Sequence, residues 1–158
     1  MREILFRGIN EVTKKFVYGG YHKHEKRMLC PIGDELESDE IEHLIIIDAF
    51  ADWNMPRDIS FYKVIPDTVG QFTGLTDKNG KKIFEGDIVE FAWFNCFGGD
   101  AIHKGQVYSC NGAYWIDCTE KETDEDVYEL GYTLMQDDEL EIISNIHENP
   151  ELLKEGEL

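Results

Sequence analysis

An all-β fold, and within it a small antiparallel barrel of the Src-homology-3-like or a similar partly open kind, is what this sequence predicts. Three observations carry that expectation. Short apolar runs rich in valine, isoleucine and aromatic residues follow one another closely, turn residues stand between them, and helix candidates are few and weak. Glycines at 70, 74, 80 and 86 divide the stretch "VIPDTVGQFTGLTDKNGKKIFEGDIVEF" at short intervals, as tight bends between overlapping strands require. A small sandwich shares these signals.

The elements follow in chain order. Ile4 and Phe6 alternate with polar residues, "NEVTKK" makes a polar connection, and Phe16 and Tyr18 lead into Gly19-Gly20, which together read as a strand hairpin. The run "DELESDEIEHLIIIDAFADWNMPRD" allows two readings over residues 38–53. Ser38 or Asp39 could cap a helix from Ile41 onward, whereas the β-branched triplet Ile45-Ile46-Ile47 favours a strand near 43–49 after an acidic loop. Pro56 then breaks the pattern.

Tyr62, Val64 and Ile65 start another strand, which Pro66 stops because its nitrogen cannot donate to a ladder. In "TDKNGKK", Asp77 can accept a local backbone bond while Asn79 and Gly80 tolerate positive φ, so "QFTGL" and "KKIFEG" become hairpin arms. Gly86-Asp87 bends the chain into "IVEFAWF", a strand buried on at least one side. A further hairpin is spelled by "GQVYSC", Asn111-Gly112 and "AYWIDC". The acidic "TEKETDEDVYE" reads as a solvated, partly helical connection, and "LEIISNIHE" as a closing strand. On this basis the 158 residues form one domain, with an N-terminal β segment at 1–60, a barrel core at 61–149 and a short tail at 150–158.

Charge is the most unusual total, at −18. Residues 1–33 carry seven basic and three acidic groups, whereas residues 117–158 carry two basic and fifteen acidic ones. Such a surface repels a phosphate backbone, so direct nucleic-acid binding is not expected. Apolar runs such as "LIIIDAFA" fall short of the roughly eighteen residues that a membrane helix needs, and "MREILFRGIN" lacks an apolar signal core. The expected setting is a cytoplasm, where the cysteines at 30, 96, 110 and 118 stay reduced.

Residues able to carry chemistry are present but unconvincing as sites. His22, His24 and Cys30 offer zinc-type donors without a second close ligand pair. Cys96, Cys110 and Cys118, with His103 as base or fellow ligand, lack any diagnostic local pattern for a nucleophile or a metal cluster, and the three cysteines read as core residues. "FGGDA" has no lysine and serine at phosphate-loop offsets, and the acidic runs Asp34–Glu42 and Glu120–Glu129 have no central glycine of a calcium loop. No catalytic residues, metal or cofactor are therefore assigned. The aromatic residues Tyr62, Phe72, Trp93 and Trp115 are the candidates for a partner-binding surface.

The words "MREILFRG", "FVYGG", "VIPDTVGQFTGLTDKNGKKIFEGDIVEF" and "IISNIHENPELL", in collinear order over nearly the whole chain, resemble the YopX family of small proteins of phages and prophages in Gram-positive bacteria. Residues 31–61 and 92–136 lie outside these words. The resemblance implies a mostly β fold with a barrel-like core, self-association, a mobile-element setting in a bacterial host cell, and no established catalytic activity or cofactor. The expected function is then that of a non-enzymatic accessory protein, a homo-oligomer contacting an unknown phage or host protein. Pairing of the basic N-terminal segment with the acidic C-terminal one, head to tail between subunits, would support assembly. A nucleic-acid-linked role, above all by acidic mimicry, and an enzyme built on scattered carboxylates are the rival expectations.

Overall fold

The computed structural model describes residues 3–29, 33, 35–48, 58–94, 100–118, 127–136 and 139–153. Eleven strands and one short α-helix account for most of them. The chain divides into two compact units, Glu3–Gln71 and Phe72–Leu158.

In the first unit, β1 (Phe6–Ile9) and β2 (Phe16–Glu25) form the expected hairpin, with Phe6 opposite Gly19 and Ile9 opposite Phe16. Asn10 explains its turn: the side-chain Oδ1 accepts from the N–H groups of Val12 and Thr13. A single turn of 3-10 helix at Ser38–Glu40 leads into β3 (Ile41–Asp48), so β-propensity prevails over the capping signal at Ser38 and Asp39. β3 pairs with β2 on one side and with β4 (Ile59–Lys63) on the other. Pro56 lies outside the described residues. β4 ends at Lys63, earlier than the expected stop at Pro66: Val64 makes an isolated bridge, and Pro66 opens a 3-10 turn, Pro66–Thr68.

The second unit begins within β5 (Gly70–Thr76), whose partner β6 (Lys82–Phe84) returns after the turn at Asp77. Gly80 holds φ 76° in that turn, while Asn79 stays at ordinary negative φ. β7 (Asp87–Phe94), β8 (Asp100–Cys110) and β9 (Ala113–Asp117) then run antiparallel in succession, with β10 (Val127–Glu129) beyond β9 and β11 (Glu141–Asn145) beside β7. The β8–β9 turn has Asn111 at φ 52° and Gly112 at φ 81°, the primed geometry that matches strand twist. A Cβ at Gly112 would meet no atom within 4 Å. Gly112→Ala therefore isolates the cost of backbone conformation, and urea titration should show a loss of about 1 kcal/mol.

The barrel expectation is overturned by the strand order. The ladders make two open antiparallel sheets, β4-β3-β2-β1-β5-β6 and β10-β9-β8-β7-β11, each ending in two edge strands. A barrel needs its first and last strands to pair along a ladder; here one isolated bridge, Asn10 to Val64, ties the end of β4 to the residue after β1. The glycines act at corners instead of curling the strands: Gly80, Gly86 and Gly112 hold positive φ at turns, and Gly74 holds φ 88° where the β5–β6 register slips.

The core of the second unit collects Ile83, Val89, Phe91, Val107, Ile116, Cys118, Leu130, Leu140 and Ile142. The helix α1 (Leu130–Gln136) covers part of this sheet face, burying Leu130 and Thr133. Sequence reading allowed helix only within the acidic run before it. Gly131, Tyr132 and Thr133 weaken the helix signal of "LGYTLMQ", and the helix starts where the Glu129 carboxylate accepts from the N–H groups of Gly131 and Tyr132.

Candidate functional site

The four aromatic candidates go to different places. Tyr62 stands on β4 of the first unit, about a third exposed. Phe72 is buried in the β5–β6 hairpin at 6% exposure, packed on Phe84 with the Lys82 ammonium 5.2 Å from its ring centroid. The register puts Trp93 opposite Ala101 and Trp115 opposite Tyr108, so the two tryptophans lie on opposite faces of the five-stranded sheet. Trp115 is half-buried and its Nε1–H donates to the Cys110 carbonyl at 3.1 Å. A single groove lined by all of them is not what the fold builds from Phe72, Trp93 and Trp115.

Around Trp93, however, the sheet gathers a cluster. Its ring centroid lies 4.8 Å from that of Tyr128 and 6.0 Å from that of Tyr132, with tilted planes. Tyr128 also meets Phe91 edge-on at 5.3 Å and His103 at 5.4 Å, while His103 stacks on Phe91 at 5.7 Å. The cause is register. Phe91 and Trp93 alternate onto the core face of β7, His103 is the direct partner of Phe91 on β8, and Tyr128 is the direct partner of buried Ile116 from the edge strand β10. Phe91 is fully buried, Trp93, His103 and Tyr128 are half-buried, and Tyr132 on α1 is 51% exposed. Met135, one turn further along α1, is 81% exposed. The cluster thus passes from core to surface without a break, which suits aromatic anchoring of a partner. Sequence reading singled out Trp93 by residue type and His103 only beside the cysteines; it did not name Tyr128 or Tyr132, because register rather than sequence spacing brings them to it.

The titratable groups form a separate cleft in the first unit, about 240 Å³ in volume, lined by Glu42, Lys26, Lys63, His43 and neighbours. Glu42 Oε1 lies 2.5 Å from Lys63 Nζ and 3.4 Å from Lys26 Nζ. The hydrogen bond from Lys63 holds the Glu42 carboxyl below its usual range and correspondingly raises Lys63. The Tyr21 hydroxyl sits 2.7 Å from His43 Nδ1, and burial pushes its pKa up. Because the folded value of Glu42 is depressed, its contribution is complete above the ordinary carboxylate pKa and disappears as pH falls through the lowered one. Lys63 behaves oppositely and loses its share only as pH rises past its raised value. Glu42→Gln should consequently flatten the acid limb of a urea-midpoint-against-pH curve, by a small amount because the pair is exposed.

Other sequence candidates fare as follows. His22 and His24 lie on one face of β2 with ring centroids 6.2 Å apart, Cys30 is outside the described residues, and no group of three possible ligands converges among the described ones. Cys118 is buried, but Cys110 is exposed at the end of β8, which corrects its assignment to the core: it adjoins the Asn111-Gly112 turn. Cys96, the "FGGDA" glycines and most of the Glu120–Glu129 run are likewise outside the described residues. Of the basic N-terminal residues, Arg7 is buried with its guanidinium 4.8 Å from the Phe16 ring centroid, Arg27 pairs with Glu40, and Lys26 with Glu42. Two of the seven basic groups, Lys26 and Arg27, are therefore paired with carboxylates of their own unit. No helix among the described residues is long and apolar enough to cross a membrane.

Comparison with known proteins decides the lineage. The profile of the YopX protein family matches residues 5–154. The chain belongs to the YopX family. Its fold is also similar to the crystal structure of protein EF1440 from Enterococcus faecalis, at a TM-score of 0.52 and 21% identity over 97% of this chain and 99% of that one. At that identity the likeness concerns the fold alone. Comparison with curated proteins gave no match. Membership of this phage-associated family agrees with the resemblance carried by the glycine-punctuated middle segment of the YopX chain, "VIPDTVGQFTGLTDKNGKKIFEGDIVEF".

Proposed function

We propose that this YopX-family chain is a non-enzymatic phage accessory protein that acts by contact with other polypeptides, its own copies included. The observation that supports this reading is the Trp93–Tyr128–Tyr132 cluster, which continues the hydrophobic core outward to exposed Tyr132 and Met135. A monomer that uses its aromatic residues only for folding has little reason to leave a ring and a methionine together at the end of a packed core.

Cross-linking in lysogenic cells, followed by mass-spectrometric mapping, tests the proposal, with light scattering across a salt series for self-association. The expected result is a set of cross-links that maps to β7 and α1 and is lost in Tyr132→Ala. Two outcomes together would sink it: a monomer at every ionic strength, and cross-links indifferent to Tyr132.

A further inference from the structure

We infer that the Trp93–Tyr132 surface receives a basic polypeptide segment, whose arginine side chains lie over the two rings; this rests on the protein-contact reading above and names the partner's chemistry. Three observations lead to it. The first is charge: Phe72–Leu158, the unit that carries the cluster, holds six basic and twenty acidic residues. The second is the cluster itself, in which Phe91, Trp93, His103, Tyr128 and Tyr132 form a continuous set of aromatic contacts that ends at the exposed Tyr132 ring. The third is that α1, "LGYTLMQ", contains no lysine or arginine, so the helix that carries the exposed Tyr132 ring offers it no cation of its own.

An aromatic face carries a negative quadrupole and attracts a cation above it, indole most strongly. Arginine fits such a face better than lysine because its guanidinium is planar and weakly hydrated, so it can stack while keeping its edge hydrogen bonds. The acidic excess adds long-range attraction for a basic chain and repels phosphates, which separates this partner from a nucleic acid that could also stack on the rings. Aromatic anchoring supplies the contact and the charge supplies the direction of approach.

The test is fluorescence anisotropy with labelled peptides of alternating arginine and alanine, lysine and alanine, or glutamine and alanine, and with a labelled oligothymidylate. The expected order is arginine above lysine by about threefold, with no binding of the glutamine peptide or the oligonucleotide. Tyr132→Ala, at an exposed position, and Trp93→Phe, which keeps a ring in the core, should each weaken the arginine peptide by about three- to fivefold. Affinity should also fall as salt rises from about 50 to 200 mM, within the range where screening grows. Absence of arginine-peptide binding at low salt, equal binding by both variants, or equal binding of oligothymidylate would each overturn the inference. If Tyr132-dependent cross-links persist while the arginine peptide does not bind, only the partner chemistry is wrong; if both are lost, the protein-contact reading falls with it.

Discussion

Gly19→Ala should destabilise the first unit by about 3 kcal/mol or more, whereas Gly20→Ala, one residue later, should change stability by no more than about 0.5 kcal/mol. The difference comes from where each new methyl would go. A Cβ on Gly19 would stand 2.1 Å from the Ile46 carbonyl oxygen and 2.6 Å from Ile47 Cγ2, both on β3. Backbone cannot give way there without spreading β2 from β3 and losing ladder bonds on both. A Cβ on Gly20 has nothing nearer than that same oxygen at 3.9 Å, an ordinary contact. Urea denaturation of the two variants beside the parent measures the contrast, and equal midpoints would show that the close approach at Gly19 is not what the glycine pair protects.

Asp77→Ala carries the second large effect, a loss of about 2–3 kcal/mol. Its carboxylate is buried at 5% exposure and works in two directions. Oδ1 accepts from the N–H groups of Asn79 and Lys81, each at 2.9 Å, which shapes the β5–β6 turn. Oδ2 accepts at 3.3 Å from the N–H of Ile142, which lies opposite Val89 in the β11–β7 ladder, away from that turn. Removing the side chain strands three backbone donors, two of them in a tight turn. Asp77→Asn keeps one acceptor oxygen and should lose about half as much. Hydrogen exchange gives a second readout: the Ile142 amide should lose protection in Asp77→Ala, and unchanged protection would count against the long-range role.

Asp77 also shows where sequence reading succeeds and stops. Its local bonds were legible, because Asp followed by Asn-Gly has turn chemistry within five residues. The bond to Ile142 was not, since nothing in "TDKNGKK" specifies a partner in "LEIISN". The same division runs through the molecule. Asn111-Gly112, Gly86-Asp87 and the isoleucine triplet of β3 were read correctly because their signals are local. Closure was misread because it is a property of how the end strands meet, and no short stretch encodes that meeting. Helix α1 was missed because it is a single short run interrupted by Gly131, Tyr132 and Thr133, and its formation depends on burying Leu130 and Thr133 and on a glutamate cap. At the candidate surface, Trp93 announced itself by residue type. Its companions are brought to it by cross-strand register and by the short helix, which only the fold supplies.

One feature of the first unit affects how the protein behaves in the laboratory. β4 is an edge strand, paired to β3 on one side, with Ile59 and Phe61 exposed at 68% and 67% and the bridge at Val64 protecting only its end. Among the described residues, its short length and the terminal Lys63 are its safeguards against uncontrolled strand addition. Concentrated or partly denatured samples will therefore tend toward fibrous aggregates seeded at this edge, and a lysine in place of Phe61 is the natural remedy for anyone preparing crystals.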